Sequence, residues 1–107
     1  MSLTDKKCVA CRGNEAPLSR SEAEKLQKQV PQWEISEKGI SLVRSFKFKN
    51  FKQSLSFVNK VGELAEEQGH HPDFSFGWGY CHVVLMTHAI NGLHENDFIM
   101  AAKIDKI

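Results

Sequence analysis

Residues 80–88, Tyr-Cys-His-Val-Val-Leu-Met-Thr-His, decide the fold of this chain. Side chains along a strand alternate between two faces, so Tyr80, His82, Val84, Met86 and His88 share one face and residues 81, 83, 85 and 87 share the other. Both sets contain apolar residues. The pattern predicts a central strand, covered on one side by helices and on the other partly by a ligand or a partner.

The strands around this segment come in two pairs. A partner strand precedes it, so that the second pair runs from about Asp73 to His88. Upstream, residues 33–35 alternate, residues 37–39 can turn, and residues 40–48 alternate again with Arg44 interrupting their apolar parity. Strands joined by short turns pair antiparallel, which predicts a four-stranded antiparallel sheet.

Three helices are predicted around the sheet. The first begins at overlapping capping boxes in residues 19–24 and ends before Pro31. The second begins at Asn50, with Gln53 as its capping partner, and ends at Gly69, while the third follows the turn at residues 91–92. The predicted fold is α+β, in the order α-β-β-α-β-β-α, with the helices on one face of the sheet. The apolar stripe of the second helix is assigned to Phe51, Leu55, Val58, Leu64 and Ala65, with Phe57 and Val61 flanking it.

Length and composition indicate one globular domain. The chain has 107 residues, 41% of them hydrophobic and 25% charged, with a formal net charge of +1. Such a balance provides no long-range field for nucleic acid or a membrane surface, and no apolar run reaches the roughly 20 residues of a membrane helix. We expect a flexible tail at residues 1–17, a single domain at residues 18–107, and a cytoplasmic location.

The three cysteines do not suggest a disulfide framework, because their number is odd. Cys8 and Cys11 have the spacing of a redox pair or of half a zinc site. The polar surroundings, and Cys81 as the remaining cysteine, favour reduced thiols in a tail that could be deleted with little effect.

Histidines and carboxylates concentrate in one region. Glu66-Glu67-Gln68-Gly69-His70-His71-Pro72 is followed by His88 and Asp97. Free imidazoles titrate near ~6.5, which suits proton transfer at neutral pH. Adjacent extended histidines point in opposite directions, which makes joint metal ligation awkward, so acid-base chemistry without a metal is favoured.

Structural roles compete for each of these residues. His82 has the pattern of a packed strand residue, and it lies roughly 20 Å along the strand from His88, too far to share a metal. His94 falls at a helix start, where we expect it to be exposed. Asp97 could serve only the first turn of the last helix, and Glu66 could be a solvated surface residue.

The motif Glu66-x-x-x-His70-His71-Pro72, with Trp78, His82, residues 87–88, residues 92–93 and Asp97, resembles the signature of the pterin-4a-carbinolamine dehydratases. The resemblance implies the helix and strand order given above, a homodimer or homotetramer, and no metal or organic cofactor. It implies a pterin substrate, the 4a-hydroxy-tetrahydropterin left by an aromatic amino acid hydroxylase. Removal of water would give quinonoid dihydropterin for recycling.

The resemblance also implies roles for individual residues. His70, His71 and His88 match the active-site histidines, with His70 and His88 as proton carriers and His71 as a substrate contact. Which histidine donates and which accepts stays open. Glu66 and Asp97 match carboxylates that orient these rings, and Trp33 matches an aromatic near the pocket mouth. Two positions depart from the pattern: Gly69 replaces an Asn or Asp, and His94 replaces a Ser or Thr helix cap.

Two other functions compete with the enzyme. Vertebrate members of the family that this chain resembles also act as dimerisation cofactors for a homeodomain transcription factor, so the chain could be a protein-interaction module. The complete set of three histidines favours an enzyme. A metal or redox protein built on Cys8 and Cys11 is the third interpretation.

Overall fold

The computed structural model describes residues 2–10 and 13–107. Two short 3-10 turns, at Leu3–Asp5 and His88–Ile90, accompany the main elements. The predicted α+β fold and its element order are confirmed. In chain order the helices and strands are α1 (Arg20–Gln27), β1 (Glu34–Ile35), β2 (Leu42–Lys47), α2 (Phe51–Gln68), β3 (Asp73–Gly77), β4 (Tyr80–Leu85) and α3 (Glu95–Ile104).

The four strands form one antiparallel sheet in the order β1-β2-β4-β3. β4 therefore lies inside the sheet, as its two apolar faces predicted, with Leu85 opposite Leu42 on β2 and Val84 opposite Asp73 on β3. The strand ends three residues before His88, which begins a 3-10 turn instead of closing the strand. Asp73 and the residues after Leu85 consequently lie at the same end of the sheet.

One face of the sheet packs against the helices. Cys81, Val83 and Leu85 of β4 are fully buried there, together with Phe98 and Met100 of α3. Side chains of the opposite parity, such as Tyr80, are partly exposed on the other face. The alternation predicted from residues 80–88 thus corresponds to a covered face and an open face.

The capping residues of α2 lie where the sequence predicted. The side chain of Asn50 accepts a hydrogen bond from the backbone N–H of Gln53 at 2.9 Å. The side chain of Gln53 in turn accepts from the backbone N–H of Lys49 at 3.0 Å. Gly69 ends the helix with φ at +65°, a conformation that side chains other than glycine's adopt at a cost.

The apolar stripe of α2 is rotated from the predicted one. Phe57 and Val61, assigned to the flank, are buried, while Phe51 and Leu55 are 45% and 39% exposed. The cause is aromatic packing, because Phe57 contacts both Phe46 and Phe48 with ring centroids 4.6 and 5.1 Å apart.

The N-terminal segment, expected to be a flexible tail, packs on α3 over the part that the structure describes. Leu3 is only 2% exposed and belongs to the core. Lys6 pairs with Glu95 at 2.8 Å, and the backbone of Val9 bonds to the side chain of Asn96. Isolated apolar residues in a polar stretch gave no sign of this docking in the sequence.

The redox and zinc interpretations depend on Cys8 and Cys11, and the structure describes only the first of these two cysteines. Cys8 and Cys81 are free thiols, whereas Cys11 lies outside the described residues. In residues 2–10 and 13–107, no helix is both long enough and apolar enough to cross a membrane.

Candidate active site

Asp97 is the buried centre of the candidate site. Its side chain is 0% exposed and has three partners, each within 3.0 Å. Thr87 donates its hydroxyl and His94 its backbone N–H to Oδ2, while Nε2 of His70 lies 2.6 Å from Oδ1. A buried carboxylate needs such partners because it loses its water. Oδ2 accepts both of its hydrogen bonds, and an Oδ1 that also accepts would take its hydrogen bond from Nε2–H of His70.

The start of α3 fixes this carboxylate. Asp97 lies in the first helical turn, and its bond to the His94 backbone is half of a reciprocal cap. The other half is Nδ1 of His94, which accepts from the backbone N–H of Asn96 at 3.0 Å. His94 therefore replaces the usual Ser or Thr as the helix cap. The prediction that it is exposed was wrong, because its side chain is only 16% exposed.

His70 reaches Asp97 because α2 ends at Gln68, two residues earlier. Gly69 takes the left-handed conformation, and the backbone N–H of His70 donates to the carbonyl of Ala65 at 3.2 Å. The chain turns towards α3 at that point, and the His70 side chain is 11% exposed. With Nε2 committed to Asp97, Nδ1 is the ring atom left to take up or release a proton.

His71 is held by a different carboxylate. Its Nε2 lies 2.5 Å from Oε2 of Glu66, and the two side chains are 60% and 79% exposed. Glu66 lies two residues before the end of α2 and five residues before His71. The predicted orienting role for Glu66 is therefore compatible with this contact, and the ring stays open to solvent or substrate.

His88 has a partner that the sequence did not reveal. Its Nε2 lies 3.6 Å from Oδ2 of Asp73, the first residue of β3, and both side chains are largely exposed. Asp73 is brought there by strand register, since it pairs with Val84 near the end of β4. Nothing in the residues around Asp73 indicates that its carboxylate will lie beside a histidine.

These contacts join three segments of the chain at one end of the sheet. His70 binds Asp97, Asp97 binds Thr87, and Thr87 directly precedes His88. His88 in turn faces Asp73, two residues after His71. The three predicted histidines and two predicted carboxylates thus lie in one neighbourhood, and each histidine has a carboxylate within 3.6 Å.

Trp33 does not join this group. It is 0% exposed, packs edge-on against Phe46, and donates its indole N–H to Asp105 at 2.8 Å. Asp105 follows the C-terminal end of α3, whereas Asp97 lies at the start, about 12 Å away at 1.5 Å per residue. The structure therefore assigns Trp33 to the core and does not place it at a pocket mouth.

His82 lies on the open face of the sheet, away from the cluster. Its Nδ1 is 2.8 Å from Oγ of Ser45 on the neighbouring strand β2. A cleft of about 360 Å³ adjoins this pair, lined by Gln32, Glu34, Val43, Arg44, Ser45 and His82. None of the three clustered histidines lines this cleft.

No cluster of three or more His, Cys, Asp or Glu side chains in the described ranges 2–10 and 13–107 has the arrangement of a metal site. Whether the reaction needs a metal stays a prediction. What the cluster offers is three imidazoles, each with a neighbouring carboxylate, which is an arrangement suited to giving and taking protons.

Comparison with curated proteins gives consistent matches over the whole length. A protein of Methylococcus capsulatus named "Putative pterin-4-alpha-carbinolamine dehydratase" is 57% identical over 106 residues, covering 99% of this chain and 93% of the relative. One of Halorhodospira halophila with the same name is 53% identical, covering 100% and 98%. The family model for pterin 4 alpha carbinolamine dehydratase matches residues 16–107.

Two solved structures share the fold. The transcriptional coactivator/pterin dehydratase from Brucella melitensis superposes with a TM-score of 0.79 at 31% identity, covering 84% of this chain and 96% of that one. A pterin dehydratase-like protein described as a RuBisCO assembly factor in the alpha-carboxysome gives 0.61 at 28% identity, covering 70% and 87%. With the fold, the histidine cluster and the family match in agreement, the chain belongs to the pterin-4a-carbinolamine dehydratases, a family of hydro-lyases.

Proposed function

We propose that this chain removes water from a 4a-hydroxy-tetrahydropterin to give quinonoid dihydropterin. The observation that carries the proposal is the grouping of His70, His71 and His88 at one end of the sheet, with His70 fixed by the buried Asp97. The family membership supports the same substrate class.

The reaction needs one proton donor and one proton acceptor. The bond between C4a and the hydroxyl oxygen breaks, and an acid protonates the departing oxygen to form water. A base takes the N5 proton, and the electrons of that N–H bond form the C4a–N5 double bond. Imidazoles can fill both roles at neutral pH, each contributing roughly 10²–10⁴-fold in rate.

We assign proton transfer to His70 and His88 and substrate contact to His71. His70 would exchange its proton at Nδ1, because Nε2 is committed to Asp97. His88 and His71 are both mostly exposed, so a ligand could reach either ring. Asp97 and Glu66 would orient His70 and His71 respectively.

Asp73 adds a third oriented ring, that of His88, to this assignment. It lies 3.6 Å from His88, an ion-pair distance that would hold the imidazole of an exposed turn in one region. Without such a partner, the side chain of His88 would pay a larger entropy cost on binding substrate. We therefore include Asp73 among the orienting carboxylates.

The proposed reaction uses neither a metal nor an organic cofactor, since imidazoles supply both the acid and the base. Its test is the dehydration of chemically generated 4a-hydroxy-tetrahydropterin by purified protein, followed by the absorbance of the quinonoid product. We expect saturable catalysis that a chelator leaves unchanged. Turnover no faster than in buffer would contradict the function, and loss of turnover on metal removal would contradict the roles of His70 and His88.

The physiological setting is part of the same proposal. Quinonoid dihydropterin is the form that a reductase would return to tetrahydropterin, so the chain would support an aromatic amino acid hydroxylase. Free thiols at Cys8 and Cys81 fit a reducing compartment, and we propose the cytoplasm. We also propose a homodimer or homotetramer, because β3 is an edge strand of the sheet.

A protein-interaction module is the second candidate function, and one surface favours it. Phe51 on α2 stacks on Phe76 of β3 with ring centroids 6.0 Å apart, and both rings are at least 36% exposed. Leu55 lies one turn along α2 and Trp78, at the hairpin tip, is 71% exposed. Both solved relatives are also described with roles in transcription or assembly. Normal dehydration by a Phe51→Ser, Leu55→Ser variant would separate such a role from catalysis.

A further inference from the structure

Residues 3–9, which we call the N-terminal strap, run across the starting end of α3. Val9 makes a two-way contact with Asn96, which is 2% exposed. The backbone N–H of Val9 donates to Oδ1 of Asn96 at 3.0 Å, and the backbone carbonyl of Val9 accepts from Nδ2 of Asn96 at 2.6 Å. The thiol of Cys8 also lies 3.6 Å from the backbone carbonyl of Asn96. The strap thus satisfies the polar groups of the residue that directly precedes Asp97.

The strap also forms a hydrogen bond with the end of α2. The backbone N–H of Cys8 donates to Oε1 of Gln68 at 2.9 Å. Gln68 is the last residue of that helix and lies two residues before His70. Cys8 and Val9, neighbours in sequence, therefore bridge Gln68 to Asn96 alongside the contact of His70 with Asp97.

Other contacts anchor the strap at both ends of α3. Leu3 lies in the core, and Lys6 pairs with Glu95 at 2.8 Å. Lys103, in the last turn of α3, donates to the carbonyl of Thr4 at 3.1 Å. The segment is therefore held along the length of α3 and is more than a local turn at its start.

We propose that the strap positions the catalytic pair, with Gln68 and Asn96 as positioning residues that hold His70 against Asp97. This inference rests on the proposed function for the role of the pair in dehydration. His70 and Asp97 belong to different elements, so their distance depends on how the end of α2 sits against α3. Displacements of about 1 Å can lower a rate by up to roughly 10²-fold.

The thiol of Cys8 is affected by the same surroundings. Burial, and next the negative charge of Asp97, raise the pKa of the Cys8 thiol to about 11. The strap precedes residues 16–107, the part that the family model matches, so the family match assigns it no role.

The test uses matched substitutions at Gln68, which is only half-buried. Gln68→Met removes the acceptor for Cys8, while Gln68→Glu keeps an oxygen there. A variant lacking residues 2–9 removes the whole strap, and Lys6→Ala serves as a control that removes only the partly exposed ion pair with Glu95. Each protein is compared by thermal unfolding, by kcat and KM, and by solvent exchange of the His70 ring N–H in NMR spectra, assigned by its loss in His70→Ala.

We expect Gln68→Met and the deletion to lower kcat roughly 10-fold with a smaller change in KM, and to accelerate exchange of the His70 ring proton. Gln68→Glu and Lys6→Ala should stay near the wild type in both kcat and the exchange rate of the His70 ring proton. A folded Gln68→Met variant with wild-type kcat and exchange overturns the proposal, whether or not the deletion variant folds. If the wild type shows no dehydration, the exchange comparison still decides the role of the strap, so the two failures are distinguishable.

Discussion

The hydroxyl of Thr87 donates to Oδ2 of Asp97 across 2.8 Å, and both side chains are buried. Asp97 binds His70 through its other oxygen, and His88 follows Thr87 in the chain. One carboxylate thereby links the loop after α2 to the turn after β4, which carry the two histidines assigned to proton transfer. Its partners should control catalysis as well as stability.

Thr87→Val tests this link, because valine keeps the shape and removes the hydroxyl. A hydrogen bond to a buried charged group contributes about 1.5–3 kcal/mol, so the free energy of unfolding should fall by that order. The rate of dehydration should also fall, because Asp97 loses one of its three partners. Urea denaturation and steady-state kinetics measure the two effects. Thr87→Ser, which keeps the hydroxyl, is the control, and equal losses in both variants would count against the hydrogen bond.

His94→Ala should destabilise the protein by about 1 kcal/mol, the usual cost of losing an N-cap side chain. The Nδ1 of His94 accepts from the backbone N–H of Asn96, and alanine leaves that donor without its partner. His94→Asn, which supplies a capping oxygen, should recover most of the loss. Thermal and urea unfolding of the three proteins decide this, and an alanine variant as stable as the wild type would refute the capping role.

The thiols should be unreactive at neutral pH. Burial raises the pKa of both Cys8 and Cys81 from the usual 9.0 to about 11, so the reactive thiolate is scarce below pH 9. Since the folded values exceed the unfolded ones, the stability from these thiols is complete below pH 9 and is lost as pH rises to about 11. Alkylation rates against pH, in a Cys11→Ser background, measure this. Fast alkylation at pH 7 would revive the redox interpretation of Cys8.

Self-association should involve the exposed apolar residues beside the β3 edge. Phe51, Leu55 and Phe76 are each at least 36% exposed, and the neighbouring strand edge can pair. We expect a dimer or tetramer by light scattering at micromolar concentration, and a smaller mass for Phe51→Ser, Leu55→Ser. A monomeric wild type would contradict the prediction. Phe57→Ser is not a suitable probe, because Phe57 is 9% exposed and belongs to the core.

Local signals in the sequence predicted much of the fold. Ser19, Asn50 and Gly69 act within one helical turn, and the structure places all three at helix ends. The rotation of α2 was not predictable in the same way, since its apolar residues spread over a broad arc. Which side faces the sheet depends on contacts of Phe57 with Phe46 of β2 and with Phe48, just after that strand.

In the candidate site too, residues with a local sequence pattern were predicted, and residues placed by tertiary contacts were not. The adjacent histidines at positions 70 and 71 form a local pattern, and their joint location follows from the helix end. Asp73 and the strap gave no local signal, because strand register brings Asp73 to His88 and contacts across 87 residues join Val9 to Asn96. Trp33 was assigned to the site through resemblance alone, and its burial against Phe46 gives it a core position.

The most direct test compares dehydration by wild type, His70→Ala, His88→Ala and the double variant, with circular dichroism to confirm folding. If these residues serve the two ends of one elimination, each single change should lower kcat by roughly 10²–10⁴-fold with less effect on KM. The double variant should lose less than the product of the two effects, because residues that act as a unit are not additive. His71→Ala should mainly raise KM. Folded His70 and His88 variants with wild-type kcat would contradict proton transfer by these histidines.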